Sequence, residues 1–237
     1  MSVITKITEQ KRNRDRRNVF LDGKFAFGCN ILIIAKFQLR PGMRLDEQQI
    51  REIEFGDVKQ ECMAAAMQFL SHRLHSRAEL YRKLARREWG EAIIDSVMED
   101  LTRMGYIDDE RFARAKALAA AQQKQHGRRR AFIELIRSGV SGDVATRALD
   151  EVYSQTNALA MARELAGKHA ARLRNLDPTV ARRRLAGLLR RRGFDYDDAR
   201  PVIDEVLGAD EPQPKDTDQN QPAEQPTHCV SQPARQS

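Results

Sequence analysis

The apolar positions of the chain change their spacing once, near Val58. Before that point they fall in short runs: Val3-Ile4 and Ile7, then Val19-Phe20-Leu21, then Phe25-Ala26-Phe27. Such runs predict strands, and Asp22-Gly23 between the last two predicts a type I′ hairpin, because both central positions of that turn need positive φ. Arg40-Pro41-Gly42 marks a second turn. The expected product is a small β-hairpin unit over residues 1–57, ending near Gly56. So small a sheet needs a helix or further strand against it.

From Val58 onward the three-and-four spacing of amphipathic helices takes over, and it repeats. Glu88, Gly139 and Gly193 serve as anchors, 51 and 54 residues apart. Each is followed by Trp89, Val140 or Phe194, and nine and ten positions later by Val97-Met98, Ala148-Leu149 or Val202-Ile203. Leu84, Leu135 and Leu189 lie four positions before the anchors, Leu80, Ala131 and Leu185 eight before, and Arg77, Arg128 and Arg182 eleven before. Each copy reads as three short helices. Ser76 to Glu79 predicts a capping box, the serine accepting from the Glu79 N–H while the carboxylate reaches back. Asp177-Pro178 supplies a cap and a first-turn proline. Gly139 and Gly193 sit where a helix ends in a left-handed residue, and Ser141 and Asp195 cap the helices that follow. Glu88 departs from that glycine pattern and predicts a helix end displaced by a residue. The fold class is therefore mainly α: tandem three-helix repeats over 58–108, 109–155 and 156–207, forming an elongated, curved stack in which each repeat contacts mainly its neighbours.

Residues 208–237 hold five of the eight prolines and six glutamines with few apolar side chains. They cannot offset the entropy of ordering, and a disordered tail is expected. The tail also changes the charge reading. The whole chain carries 41 Lys+Arg against 34 Asp+Glu, a net +7. The tail contains two basic and five acidic residues, so residues 1–207 carry +10. A basic body favours an acidic partner such as nucleic acid. No apolar run approaches the roughly 20 residues needed to cross a bilayer. The amino terminus lacks the basic-then-apolar order of a secretory signal, and Cys29, Cys62 and Cys229 are too few and too scattered for a disulfide framework, so a cytoplasmic location is expected.

The arginines carry the most specific functional signal. Arg128-Arg129-Arg130, Arg182-Arg183-Arg184 and Arg190-Arg191-Arg192 flank the middle helices of the second and third repeats. With Leu185, Leu188 and Leu189 on one helical face, Arg183 and Arg190 fall on the opposite face, beside Arg184 and Arg191. Between Arg163 and Arg192 ten basic residues face only Glu164 and Asp177. That imbalance points to a phosphate backbone or an acidic protein groove more than to a solvated helix face. Arg77, Arg82, Lys83, Arg86 and Arg87 extend the pattern into the first repeat, diluted by Glu79, Glu88 and Glu91. Lys11, Arg12, Arg14, Arg16 and Arg17 form a further cluster before the central strand. Asp108, Asp109 and Glu110 read as a helix cap and first-turn charges and not as metal ligands. Tyr106, Ile107 and Phe112 read as packing residues that hold two repeats together, and Trp89 as core. His72 and His75 read as surface residues. No phosphate loop, zinc spacing or nucleophile elbow is present in the sequence. Neither enzyme chemistry nor a cofactor is expected, and a nucleic-acid-binding protein acting through phosphate contacts is an open alternative.

Ser76-Arg77-Ala78-Glu79-Leu80-Tyr81-Arg82-Lys83-Leu84, then Val97-Met98-Glu99-Asp100-Leu101, then Gly105-Tyr106-Ile107-Asp108-Asp109-Glu110-Arg111-Phe112-Ala113, resembles the signature of the RecX regulatory proteins. Gly127-Arg128 and the Arg182 to Phe194 stretch look like the later repeats of that family, and the resemblance covers about residues 3–207. It implies a cytoplasmic bacterial protein, acting as a monomer, that binds the RecA recombinase. Family members lie in the helical groove of the RecA filament on single-stranded DNA and limit filament growth, strand exchange and SOS repressor cleavage. The strand unit and the tail carry no expectation from the family. One stability prediction follows from the repeat alone: Leu189→Ala is expected to cost about 2–5 kcal/mol, measured by urea unfolding.

Overall fold

The computed structural model describes residues 1–208; the rest of the segment expected to form a tail lies outside the described residues. Strands β1 (Ser2–Glu9), β2 (Arg16–Leu21), β3 (Lys24–Asn30) and β4 (Arg44–Leu45) form an antiparallel sheet in the order β3-β2-β1-β4. Asp22 and Gly23 join β2 to β3 with φ of 48° and 80°, both positive as a type I′ turn requires. Helix α1 (Ile31–Lys36), started by Asn30 accepting from the Leu32 N–H at 2.9 Å, buries Ile33 against Ile4, Val19 and Phe27. Neither α1 nor β4 is long enough to show a period, and neither was expected from the sequence.

Helix α2 (Glu47–His72) begins well before the change of spacing at Val58 and runs without interruption through Gly56. It faces two cores in succession. Ile50 and Ile53 pack into the strand unit, whereas Cys62, Ala65 and Ala66 pack into the first helical unit, so no single apolar stripe runs its length. Buried Asp57 fixes the first half to the sheet, accepting from the Asn30 N–H and from Arg16, both at 2.7 Å. Arg16 also reaches Glu61, and Arg17 pairs with Glu9 at 2.9 Å. Two members of the amino-terminal basic cluster are thus part of the scaffold.

The remaining helices are α3 (Arg77–Ala85), α4 (Glu91–Arg103), α5 (Asp109–Gln122), α6 (Arg128–Arg137), α7 (Gly142–Ser154), α8 (Ala158–Ala170), α9 (Pro178–Arg192) and α10 (Tyr196–Leu207). With α2 they form three groups of three, each with its own core. The repeated leucines fill those cores: Leu80, Leu84, Leu135, Leu185 and Leu189 are fully buried. Trp89 packs on the first. Several local expectations need correction. The Ser76 hydroxyl accepts from the Glu79 N–H at 3.0 Å, but the Glu79 carboxylate is drawn to Arg73 at 2.8 Å and does not close a capping box. His75 is buried, with Nδ1 bonded to the Arg73 carbonyl at 3.0 Å, because α2 ends just before it and folds the chain back under Phe69. Tyr106 is exposed, while Ile107 and Phe112 serve separate cores instead of bridging two units.

The units are joined end to end through their middle helices. The carboxyl end of α6 meets the amino end of α3, where the Ser76 hydroxyl donates to the Ser138 carbonyl at 2.5 Å. The carboxyl end of α9 meets the amino end of α6, where the Gly127 N–H donates to the Arg192 carbonyl at 2.8 Å. Each contact gives a terminal helix carbonyl a donor and sets the negative end of one helix dipole against the positive end of another. Gly139 and Gly193, with φ of 83° and 87°, lie in these joints. A β-carbon on Gly139 would stand 2.3 Å from Ala78 Cβ, and one on Gly193 would stand 2.3 Å from the Arg130 nitrogen. Glu88 also adopts a left-handed φ of 61°, so the turn stays in register without glycine. Its side chain is exposed, since among the described residues no unit packs against that helix end. Gly193→Ala should therefore lower the melting temperature far more than an exposed-helix substitution. Glu88→Gly, which relieves left-handed strain, should be neutral or stabilising by up to about 1 kcal/mol in the same measurement.

Candidate nucleic-acid interface

The joint between the second and third units brings two arginine triplets together. A groove of about 740 Å³ lies there, lined by Arg129 and Arg130 of α6 and by Arg190, Arg191 and Arg192 of α9, with His126 and Leu188. A second groove of about 510 Å³ continues along α9 toward the end of α8, lined by Arg172, Arg183, Arg184 and His169. Leu188 and Arg191 line both, so the two form one basic trough. Packing dictates this arrangement. Leu185 and Leu189 anchor α9 in the third core, which turns Arg183, Arg184, Arg190 and Arg191 outward as the helical spacing predicts. Leu188 packs against the third core as expected but is only half-buried, and its remaining surface gives the trough an apolar patch.

Not every arginine of the triplets is available. Arg182 pairs with Asp204 at 2.6 Å and donates to the Gly208 carbonyl, and Arg128 pairs with Asp150. Arg130 lies 3.4 Å from Glu134, and Arg192 donates to the Lys124 carbonyl at 2.9 Å. By contrast, the side chains of Arg129, Arg183, Arg184, Arg190 and Arg191 make no ion pair or hydrogen bond among the described residues. All five are exposed, so an incoming anion would find solvated guanidinium groups free to form charge-assisted bonds.

The first unit's basic residues are used differently. Arg77 donates to Thr102 at 3.0 Å, and its backbone N–H donates to Asp109 at 2.7 Å, so Asp109 ties two units as well as starting α5. Arg82 reaches the Arg137 carbonyl at 3.3 Å across the joint. Lys83 and Arg87 lie 4.6 and 5.1 Å from the centre of the Phe69 ring. Arg86 is exposed. None of them lines the trough.

Arg192, named in the sequence as the end of an arginine run, lies in the trough, together with His126, Arg172 and His169, which were not singled out. His126 precedes the joint residue Gly127, so a reading that knew the joint could have found it. Burial pushes the His126 imidazole below the usual histidine range, outweighing nearby Glu134, and Arg192, Lys124 and Arg130 push it the same way. Burial alone would raise the Glu134 carboxyl; the Lys124 hydrogen bond and charge, with His126 and Arg130, hold it low. The Tyr153 hydroxyl donates to the His126 carbonyl at 2.6 Å and is itself pushed up to about 12 by burial. Glu134, beside the groove-lining His126 and Arg130, thus stays ionised and committed to its neighbours. The chemistry on offer is multipoint binding of an extended anion.

Comparison with known proteins covers most of the chain. Residues 2–46 match the family profile "Regulatory protein RecX N-terminal domain", residues 62–101 match "RecX, first three-helix domain", and residues 156–203 match "RecX, third three-helix domain". The strand unit, for which the sequence resemblance carried no expectation, is thus covered as well. The chain is 32% identical to Regulatory protein RecX of Bacillus subtilis over 210 residues, covering 87% of this chain and 78% of that protein. It is 32% identical to the protein of the same name from Bacillus velezensis over 197 residues, covering 83% and 74%. A crystal structure of regulatory protein RecX superposes with a TM-score of 0.70 at 24% identity, covering 86% of this chain and all of that one. RecX from Lactobacillus salivarius gives a TM-score of 0.57 at 22% identity over 64% of this chain and 97% of that one. These superpositions speak to the fold alone.

Replacing Arg183, Arg184, Arg190 and Arg191 together by Ala is expected to leave helical circular dichroism unchanged. The same variant should bind a single-stranded oligonucleotide more weakly, with the slope of log affinity against log salt reduced by up to about 3.

Proposed function

The chain belongs to the family of RecX regulatory proteins, and from that membership we propose that it binds the RecA recombinase and its filament on single-stranded DNA. Binding would lower recombinase and SOS co-protease activity and so modulate DNA repair. The observation that carries this reading is the basic trough at the joint of the second and third units, with its five guanidinium groups lacking partners among the described residues. A trough built on a rigid joint suits a phosphate backbone or an acidic filament wall, since contacts of moderate strength can add along its length. Arg129, Arg183, Arg184, Arg190 and Arg191 are assigned to that contact, and Arg86 to a more distant one. Arg77, Arg82, Lys83, Arg128, Arg130 and Arg182 are assigned mainly to holding the scaffold. Repeats proposed at 58–108, 109–155 and 156–207 would spread the contact over several RecA subunits. The proposed activity is binding by a cytoplasmic monomer, with no catalytic step and no cofactor. Among the described residues no helix is long and apolar enough to cross a membrane.

The unpaired arginines also favour a second reading, a nucleic-acid-binding protein that acts without RecA. Titrating the protein into RecA filaments separates the two. DNA-dependent ATP hydrolysis and repressor cleavage should both fall, and co-sedimentation should saturate near one molecule per few RecA subunits. Unchanged rates at saturating protein would overturn the first reading. Salt-sensitive oligonucleotide binding in that case would leave the second.

A further inference from the structure

The third unit lacks a side chain that the other two possess. Seven positions before the anchors Glu88 and Gly139 stand Tyr81 and Phe132, each partly buried against its own unit's core. Seven positions before Gly193 stands Ala186, followed by Gly187. A pocket of about 350 Å³ opens at this place between α9 and α10. Its floor is Phe194 and Ile203, both buried, and Ala199 of α10 narrows it no further. Among the described residues no ring fills it: Tyr196 lines the rim but is 71% exposed.

The rim also has a sign. Arg183 and Arg190 line it, both exposed and neither side chain with an ion pair or hydrogen bond among the described residues. Asp195 is the carboxylate set against them. An apolar socket that the sister units fill with an aromatic ring, bordered by two available guanidinium groups, fits a ring presented with carboxylates beside it. A ring of this kind buries about 150–250 Å² and is the usual anchor of a small peptide contact. We propose that the pocket between α9 and α10 is a docking socket for a partner's acidic segment, which inserts a phenylalanine or tyrosine side chain where Tyr81 and Phe132 sit in the other units. The inserted ring would rest on Phe194 and Ile203, and carboxylates on either side of it would meet Arg183 and Arg190.

The test uses the full chain and two fluorescein-labelled peptides, Asp-Glu-Phe-Glu-Asp and the same peptide with Ala in place of Phe. Fluorescence anisotropy should show the phenylalanine peptide binding at least five-fold more tightly. Ala186→Phe, which supplies the ring from within at an exposed position, should erase that difference. Arg183→Glu with Arg190→Glu should weaken the phenylalanine peptide at least ten-fold while leaving the circular dichroism unchanged. Equal affinity for the two peptides, absence of binding at millimolar peptide, or a preference that survives Ala186→Phe would each overturn the proposal. The peptides involve neither RecA nor DNA, so their result is separate from that of the filament experiment.

Discussion

The helical body depends on a contact that leaves no room for a side chain. At both joints a left-handed glycine closes one middle helix and presses against the start of the middle helix of the preceding unit. A β-carbon at Gly193 would overlap the backbone of Arg130, and one at Gly127 would stand 2.2 Å from the Gly193 carbonyl oxygen. At this joint backbone meets backbone, so a hydrogen bond passes directly between the main chains of two units and leaves little freedom to slide. Glycine is needed there for space as much as for its φ. The first unit makes the distinction visible, since Glu88 adopts the same φ where no neighbour crowds it.

The trough is a product of that joint. Arg129 and Arg130 lie at the start of one middle helix and Arg190 to Arg192 at the end of another, some sixty residues apart in sequence. End-to-end packing makes them neighbours. The equivalent joint between the first two units gathers a different set: Ser76, Ser138, Lys116 and Glu79, whose charges face one another. Burial lowers the Lys116 ammonium below its usual range despite Glu79. One joint is thus internally satisfied, and the other leaves positive charge facing solvent.

Much of the fold was legible because it is periodic. Leucines at fixed offsets from three anchors marked the helices and their buried faces, and Asp22-Gly23 marked the hairpin through backbone preference alone. What escaped notice obeys no period. Helix α2 serves two cores with different faces, so its first half looked like part of the strand unit. His75 appeared polar and external, yet the chain reversal after α2 buries it. For the candidate site, the exposed arginines of α9 followed from the helical face, whereas the convergence of α6 upon them did not. Spacing along a helix says which way a side chain points, not which other helix ends beside it. Likewise, no local rule separates Arg182, drawn to Asp204, from Arg183 next to it.

A head-to-tail interface is heterologous: it offers one surface and accepts another, and left open it would allow copies of the chain to add without limit. The two outer ends of the middle-helix series are both unsuited to such growth. At one end Glu88 places a charged side chain where the inner joints have glycine. At the other, Asp177 already accepts from the Thr179 and Val180 N–H groups and offers a carboxylate where the inner joints offer a donor, and Pro178 behind it has no N–H at all. An incoming helix end would meet negative charge in place of a hydrogen bond. At its two outer ends the series thus lacks the glycine and the donor from which its inner joints are built.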